Sequence, residues 1–247
     1  MHDSHPTPHE RPRRSLKRRA FYAFGAILAL WAMLAYLLMP EWWNLYFHRH
    51  PSFDETPGIT LTSVGIPGDP VNVALIGTLD DLKRSMKAAG WKLADALGIE
   101  ADVRIAADTV LDRPYEAAPV SSLFLYGRKE DLAFEMPVGD NPQHRHHVRF
   151  WKSPEADSDG RPSWIGAASY DKGVGLSHTT GQVTHHIAAD VDTERDHVIK
   201  SLESAQQLSE TYIEENFHDV RSGKNGGGDP WTTDGNLWAG VIKPAAP

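Results

Sequence analysis

Two short runs concentrate the side chains of this 247-residue chain that could do chemistry: Arg145-His146-His147-Val148-Arg149 and Thr184-His185-His186-Ile187. Imidazoles exchange protons near neutral pH, and two of them with a carboxylate can hold a divalent metal. Guanidinium groups flanking an imidazole can grip a phosphate or a carboxylate. If residues 145–151 form a strand, alternation places His146 with Val148 and Phe150 on one face, and Arg145, His147, Arg149 and Trp151 on the other. The apolar residues nominate the first face as core. The same rule puts His185 on the apolar side of its run and His186 beside Thr184. Should the two strands be neighbours, His146 would meet His185, and His147 would meet His186.

Two uses of these residues follow. Arg145, His147 and Arg149, on the exposed face, form a candidate anion site. His147 and His186, with Asp190 just beyond the second run, form a candidate site for a divalent metal. No His-x-x-x-His or His-Glu-x-x-His spacing fixes the metal geometry. The structural alternative has His146 and His185 as core histidines bonded to backbone carbonyls, Asp190 in a loop, Asp192 as a helix cap, and Arg149 or Arg195 paired with nearby acids. Acid–base work by His147 or His186 is chemically possible, but spacing supplies no second catalytic partner, so no catalytic residue is assigned and the enzyme question stays open. Other apparent motifs fail on their chemistry. Lys224-Asn225-Gly226-Gly227-Gly228-Asp229 lacks the Gly-Lys-Ser/Thr ending of a phosphate loop, and Gly173-Val174-Gly175 does not open a helix, so both read as flexible loops. Asp157-Ser158-Asp159-Gly160 starts like a calcium loop, but Pro162 stands where its glycine belongs. Ser121 and Ser177 sit in no nucleophile elbow. With no Cys, thiolate zinc sites, disulfides and cysteine nucleophiles are excluded.

The elements that must carry these residues can be read from periodicity. Residues 71–76 form an apolar, partly β-branched run closed by Gly77, a strand. Thr78 then caps a helix with Asp80 and Asp81 in its first turn, Leu79, Leu82, Met86 and Ala89 at helical spacing, and Gly90 as the stop. A second helix is expected over residues 99–111, ended by Arg113-Pro114. Residues 122–126, 146–151 and 164–170 read as strands, the last two joined by an Asp-Gly hairpin turn. Residues 173–181 read as a loop and 182–188 as a strand. Asp192 is expected to cap a long helix, with Val198, Leu202, Ala205, Leu208 and Tyr212 in register, stopping near Phe217. Residues 223–228 are too rich in Gly for regular structure, and 237–242 read as an edge strand. Strands in succession with flanking helices predict an α+β fold: a mainly antiparallel or mixed sheet with helices packed largely on one face, preceded by one transmembrane helix.

That transmembrane helix is expected at residues 20–39, twenty positions without a charge, Pro, Asn or Gln. At about 1.5 Å per residue they reach about 30 Å, the hydrocarbon thickness. A cleaved signal peptide would have a shorter apolar region and a small-residue cleavage site, whereas this run ends Leu37-Leu38-Met39-Pro40-Glu41-Trp42-Trp43. Residues 1–19 form a basic tail with six Arg and Lys against two acids, so the amino end is expected in the cytoplasm and the main domain outside it. His2, His5 and His9 in this tail could bind metal weakly, although a disordered tail is the simpler reading. Residues 40–57 read as a juxtamembrane linker, 50–68 as a Pro- and Gly-punctuated tether, and the soluble domain as 58–243. Beyond the tail, 19 basic residues face 31 acidic ones, a net of −12, which argues against nucleic-acid binding.

Eight segments in order carry a family likeness: Asp69-Pro70-Val71-Asn72-Val73-Ala74-Leu75-Ile76-Gly77, Ala89-Gly90-Trp91, Arg113-Pro114-Tyr115, Ala118-Pro119-Val120-Ser121, Phe134-Glu135-Met136-Pro137-Val138-Gly139, Arg145 to Trp151, Thr184-His185-His186-Ile187 and Asp190-Val191-Asp192-Thr193-Glu194-Arg195-Asp196. The series resembles the LssY C-terminal-like domain over roughly residues 57–243. Members of that family occur alone behind a membrane span, or fused after integral-membrane modules of the DedA and lipid-phosphatase kinds in bacteria. The resemblance implies envelope association, and with the orientation expected from flanking charge it places the protein at the cytoplasmic (inner) membrane with the domain on the periplasmic side. It brings no agreed reaction and no catalytic residues, and this chain carries no lipid-phosphatase module. The reading that results is a single-pass envelope protein, anchored through residues 20–39, whose domain binds an envelope protein or an anionic lipid headgroup. The alternative is a metal-dependent hydrolase of a phosphorylated or lipid-linked envelope substrate.

Overall fold

A computed structural model describes residues 16–42, 53–94, 122–139, 144–157, 160–179, 181 and 183–245. The chain divides into two compact units, Met1–His50 and Pro51–Pro247. In the first, helix α1 (Leu16–Met33) continues through a π-helical turn, Leu34–Leu38, to Trp42. Its stretch Arg18–Trp42 has a mean hydropathy of 2.0 over its most apolar window and is long enough to cross a membrane. Phe21, Ile27, Leu30, Trp31 and Leu37 are exposed, as expected of a helix apolar all round rather than along one stripe.

The second unit is α+β. A mixed sheet has the order β11 (Leu208–Glu214), β14 (Leu237–Ile242), β3 (Val73–Ile76), β9 (Pro162–Leu176), β8 (Arg145–Ala156), β7 (Leu132–Pro137), β4 (Lys92–Leu93), with β10 (Val183–Ile187) also paired to β9. All of its pairs are antiparallel except β14 with β3. Both faces of the sheet are buried. Val73, Leu75, Val148 and Phe150 point to one face, where they pack with Leu82 and Met86 of α2 (Leu79–Ala88) and Val198, Ile199 and Leu202 of α3 (Val191–Ser204). The intervening Ala74 and Trp151, with Ile165 and Ala239, point to the other and meet Phe53, Leu123 and Leu125. A smaller sheet, β2 (Pro67–Pro70), β1 (Ile59–Thr62), β5 (Leu123–Leu125), β6 (Arg128–Lys129), supplies these last two leucines. The remaining pair is β12 (Ser222–Lys224) with β13 (Pro230–Thr232). The two helices therefore share one face, as the pattern of the sequence suggested.

Local chemistry accounts for the helix ends. The Thr78 hydroxyl accepts from Asp81 N at 3.1 Å and donates to its carboxylate at 2.6 Å, so one orphan amide of α2 is satisfied. Thr78→Ala is expected to cost about 1 kcal/mol of unfolding free energy in urea titrations, and Thr78→Ser much less. The cap of α3 is Asp190, not Asp192: its carboxylate accepts from Asp192 N at 3.0 Å and Thr193 N at 3.3 Å. Asp192 instead accepts from Thr233 Oγ1 at 2.8 Å and pairs with Arg195 at 3.2 Å.

The structure corrects several further expectations. The long helix does not reach Phe217, because Gln206 adopts φ 56° and the chain turns into β11. Leu208 still enters the helix-side core, but from a strand, which is why it continued the helical repeat. Residues 237–242 are interior, between β11 and β3, rather than at an edge. Gly173 and Gly175 belong to β9 rather than to a loop, and Gly223 lies in β12. Strand β1 and the start of β2 lie within the stretch read as a tether. The helix expected over residues 99–111 falls outside the described residues.

Candidate functional site

Strand β8 holds its Arg and His residues with the expected alternation, but both of its faces are covered. Arg145, His147 and Arg149 are 8%, 2% and 4% exposed, so the open basic face expected there is instead the floor beneath the second sheet. Above that floor lies a cleft of about 520 Å³. One side is apolar, with Val64, Ile66, Leu123 and Phe124. The other presents Arg149, Asp171, His185, Thr184 and the Asn225–Gly227 segment.

The floor is a network of buried charges. Arg145 donates through Nε to Asp171 at 2.9 Å and through Nη1 to Glu135 at 2.7 Å. Arg149 donates to Asp69 at 3.3 Å, and Asn225 donates to the other oxygen of Asp69 at 3.1 Å. Burying such groups costs several kcal/mol per ion and offers little net stability over an apolar core, so a charged floor below a cleft is a functional candidate. Burial pushes the Asp171 carboxyl up to about 6 and outweighs the opposing pull of Arg145 beside it. The His147 imidazole is held well below its usual value by burial first, then by Arg149 and Arg145. His185 is lowered to about 4 for the same reasons.

His185 carries one more feature. Its Nε2 lies 3.3 Å from Arg145 Nη2, and a guanidinium can only donate, so Nε2 accepts and the ring proton sits on Nδ1. That Nδ1 is buried and has no hydrogen-bond partner. A buried donor left unmatched costs about 1–3 kcal/mol.

The histidines group differently from the pairing expected of two neighbouring strands. Strand β9 lies between β8 and β10, and the β9–β10 register shifts between His186 and Ile187. His185 therefore joins Arg145, not His146. His146 faces α3, where its Nδ1 lies 2.8 Å from Glu194 and its ring stacks on His197 at 3.7 Å, beside a second cavity of about 590 Å³. His186 Nδ1 lies 2.7 Å from Asp229 Oδ1, with the His178 ring 5.2 Å from its own. Asp190 is spent on capping α3, so His147, His186 and Asp190, the candidate metal set, occupy three separate environments. Arg195 pairs with Asp192, Asp196 and Asp234, the structural role considered for it.

No local signal marks Asp69, Asp171 or Asn225 as site residues, because they meet only across 102 and 156 positions of chain. The Asn225–Asp229 segment, read as flexible, is a tight turn: Asn225 Oδ1 accepts from Gly227 N and Asp229 N, both at 3.0 Å.

The described chain thus comprises a helix of membrane length and an α+β domain with a cleft over buried charges. The LssY C-terminus family matches residues 53–237, and the protein is a member of that family. Comparison with the curated proteins and with the solved structures finds no match.

Proposed function

We propose that the protein is a single-pass membrane-anchored binding module, with its domain held on the envelope side of the cytoplasmic membrane, whose cleft takes the anionic headgroup of a lipid or lipid-linked molecule. The anchoring is supported by the membrane-length apolar helix and by the six basic residues that precede it. The observation that carries the binding reading is the unmatched Nδ1–H of His185 in the wall of the cleft, next to two buried guanidinium groups. Once the His185 ring turns that buried donor toward the cleft, an incoming phosphate or carboxylate oxygen gives it an acceptor, and the apolar wall of Val64, Ile66, Leu123 and Phe124 receives the hydrocarbon portion.

The floor sets three carboxylates against two guanidinium groups before any ligand arrives. Arg145 and Arg149 face Asp69, Asp171 and Glu135, with His147 and His185 neutral. An anion must therefore displace negative charge, and Asp171 yields it most easily by taking up a proton. The sign follows: affinity for an anion rises as pH falls through about 6, the value to which burial lifts Asp171.

The test uses the full chain in a nonionic detergent, titrated with dihexanoyl phosphatidylglycerol, a phosphodiester whose charge is constant over this range. Expected is binding about 10-fold tighter at pH 5.5 than at pH 7.5, with the difference abolished in Asp171→Asn. Dihexanoyl phosphatidylcholine and inorganic phosphate should bind much more weakly. Equal affinity for the zwitterionic and anionic lipids, or tighter binding of inorganic phosphate than of either, would overturn the reading. Localisation is checked separately, by a compartment-specific reporter fused after Pro247; activity of a cytoplasm-only reporter contradicts the orientation.

A further inference from the structure

We propose that His178, His186 and Asp229 form a binding site for a divalent transition-metal ion of the zinc class, separate from the headgroup cleft. These three are brought together from the β9–β10 turn, from β10 and from the turn after β12, and one ligand atom from each lies within 4.8 Å of the others. Among the described residues this is the group of His and acidic side chains that converges in this way. Two imidazoles and one carboxylate match the donor preference of zinc, and three protein ligands leave a fourth position for water.

The backbone is shaped to hold the trio. A Cβ at Gly175 would come within 2.6 Å of His186 Nε2, so the ring lies directly over that glycine and presents Nδ1 to Asp229. Gly228, at φ +87°, lets the His178 segment approach, since a Cβ there would meet His178 Cβ at 2.8 Å. His178 N also donates to Gly227 O at 2.8 Å, and Ile187 N donates to Asp229 Oδ2 at 3.2 Å, which fixes the carboxylate. Ligand bonds of about 2.05 Å at a tetrahedral centre separate two donors by about 3.3 Å. The 2.7 Å between His186 Nδ1 and Asp229 Oδ1 must therefore open by about 0.6 Å, a side-chain rotation that the exposed His178 can follow.

Such an ion would tie the β9–β10 turn to the Asn225–Asp229 turn, both of which contribute to the cleft wall through Ser177 and Gly227. Its chemistry is independent of the headgroup reading, because the measurement below contains no lipid.

The test is zinc calorimetry on the untagged full chain in nonionic detergent, after chelator stripping, in a background where His2, His5 and His9 are all changed to Ala so that the amino-terminal tail contributes nothing. Expected is one zinc ion per chain, a rise in melting temperature, and visible absorption bands when cobalt replaces zinc. His178→Ala, at an exposed position, should keep the fold and bind about 100-fold more weakly. Asp229→Asn, with retained circular dichroism, should also lose the cobalt bands. Uptake of no zinc by the full chain lacking these three tail histidines would overturn the proposal. So would unchanged affinity in His178→Ala.

Discussion

Replacing Asn72 by Ala is expected to lower the unfolding free energy of the domain by about 4 kcal/mol, a large part of the 5–15 kcal/mol typical of folded proteins. The side chain is wholly buried, and every polar atom it carries is engaged. Its amide nitrogen donates to Ala168 O and to Val191 O, both at 3.0 Å, while its oxygen accepts from Ala168 N at 2.9 Å. One residue thus ties the start of β3 to β9 and to the first turn of α3. Removing it strands the peptide N–H and the carbonyl of Ala168 where water does not reach, at about 1–3 kcal/mol for each group left unmatched, while Val191 O keeps its helical bond. Asn72→Asp should be no better: it keeps the acceptor for Ala168 N but sets a carboxylate against two carbonyl oxygens. Urea titrations of both variants read the effect directly, and a loss below about 1 kcal/mol for Asn72→Ala would mean that these bonds re-form with other partners.

The second large effect is a loss of stability in mild acid. His147, His185, His197 and His218 all have imidazoles lowered below their ordinary value, in each case by burial first. A histidine whose folded value is depressed contributes fully above its unfolded value near 6.5 and loses that contribution as pH falls below it. From pH 7 to pH 5, His185, whose folded value is about 4, costs about 2 kcal/mol, and His147, lowered in the same direction, adds to that loss. Asp171 acts the other way. Its folded value of about 6 lies above its unfolded one, so the fold takes up a proton first and recovers about 1 kcal/mol over the same interval. The net expectation is a loss of about 1 kcal/mol from His185 and Asp171 alone, enlarged by the other lowered imidazoles and visible as a lower urea midpoint at pH 5 than at pH 7. His147→Gln should flatten this dependence. A midpoint that rises on acidification would contradict the burial of these rings as neutral species.

The elements most legible in the sequence are those whose stability is local. Thr78 with Asp80 and Asp81 marks the start of α2, and the helix follows from the apolar stripe behind it. The alternation along β8 was readable for the same reason, since a strand of period two needs no knowledge of its neighbours. What could not be read was set at long range. Nothing within residues 237–242 says that they lie parallel to β3 in the middle of the sheet, and nothing in Leu208 or Tyr212 distinguishes a helical repeat from a strand that re-enters the same core. The site shows the same division. Arg145, His147 and Arg149 were nominated from one strand and do share one face, but its burial depends on a second sheet whose first two strands come from residues 59–70, most of which fall in the stretch read as a tether. His186 was nominated as a metal ligand, and its neighbours turned out to be His178 and Asp229 rather than His147 and Asp190, because β9 intervenes between the two His-bearing strands.

Whether the cleft is a binding site for an anionic headgroup is tested most directly at the imidazole of His185. With nitrogen-labelled histidine in the full chain, and the signal assigned by comparison with His185→Gln, the ring should show a protonated Nδ1 and a bare Nε2 at pH 7. Adding dihexanoyl phosphatidylglycerol should shift the Nδ1–H resonance downfield as it gains an acceptor, with Nε2 still unprotonated. A saturating titration that leaves the His185 signals where they began, while other histidines move, would place the ligand elsewhere and contradict the assignment of the cleft.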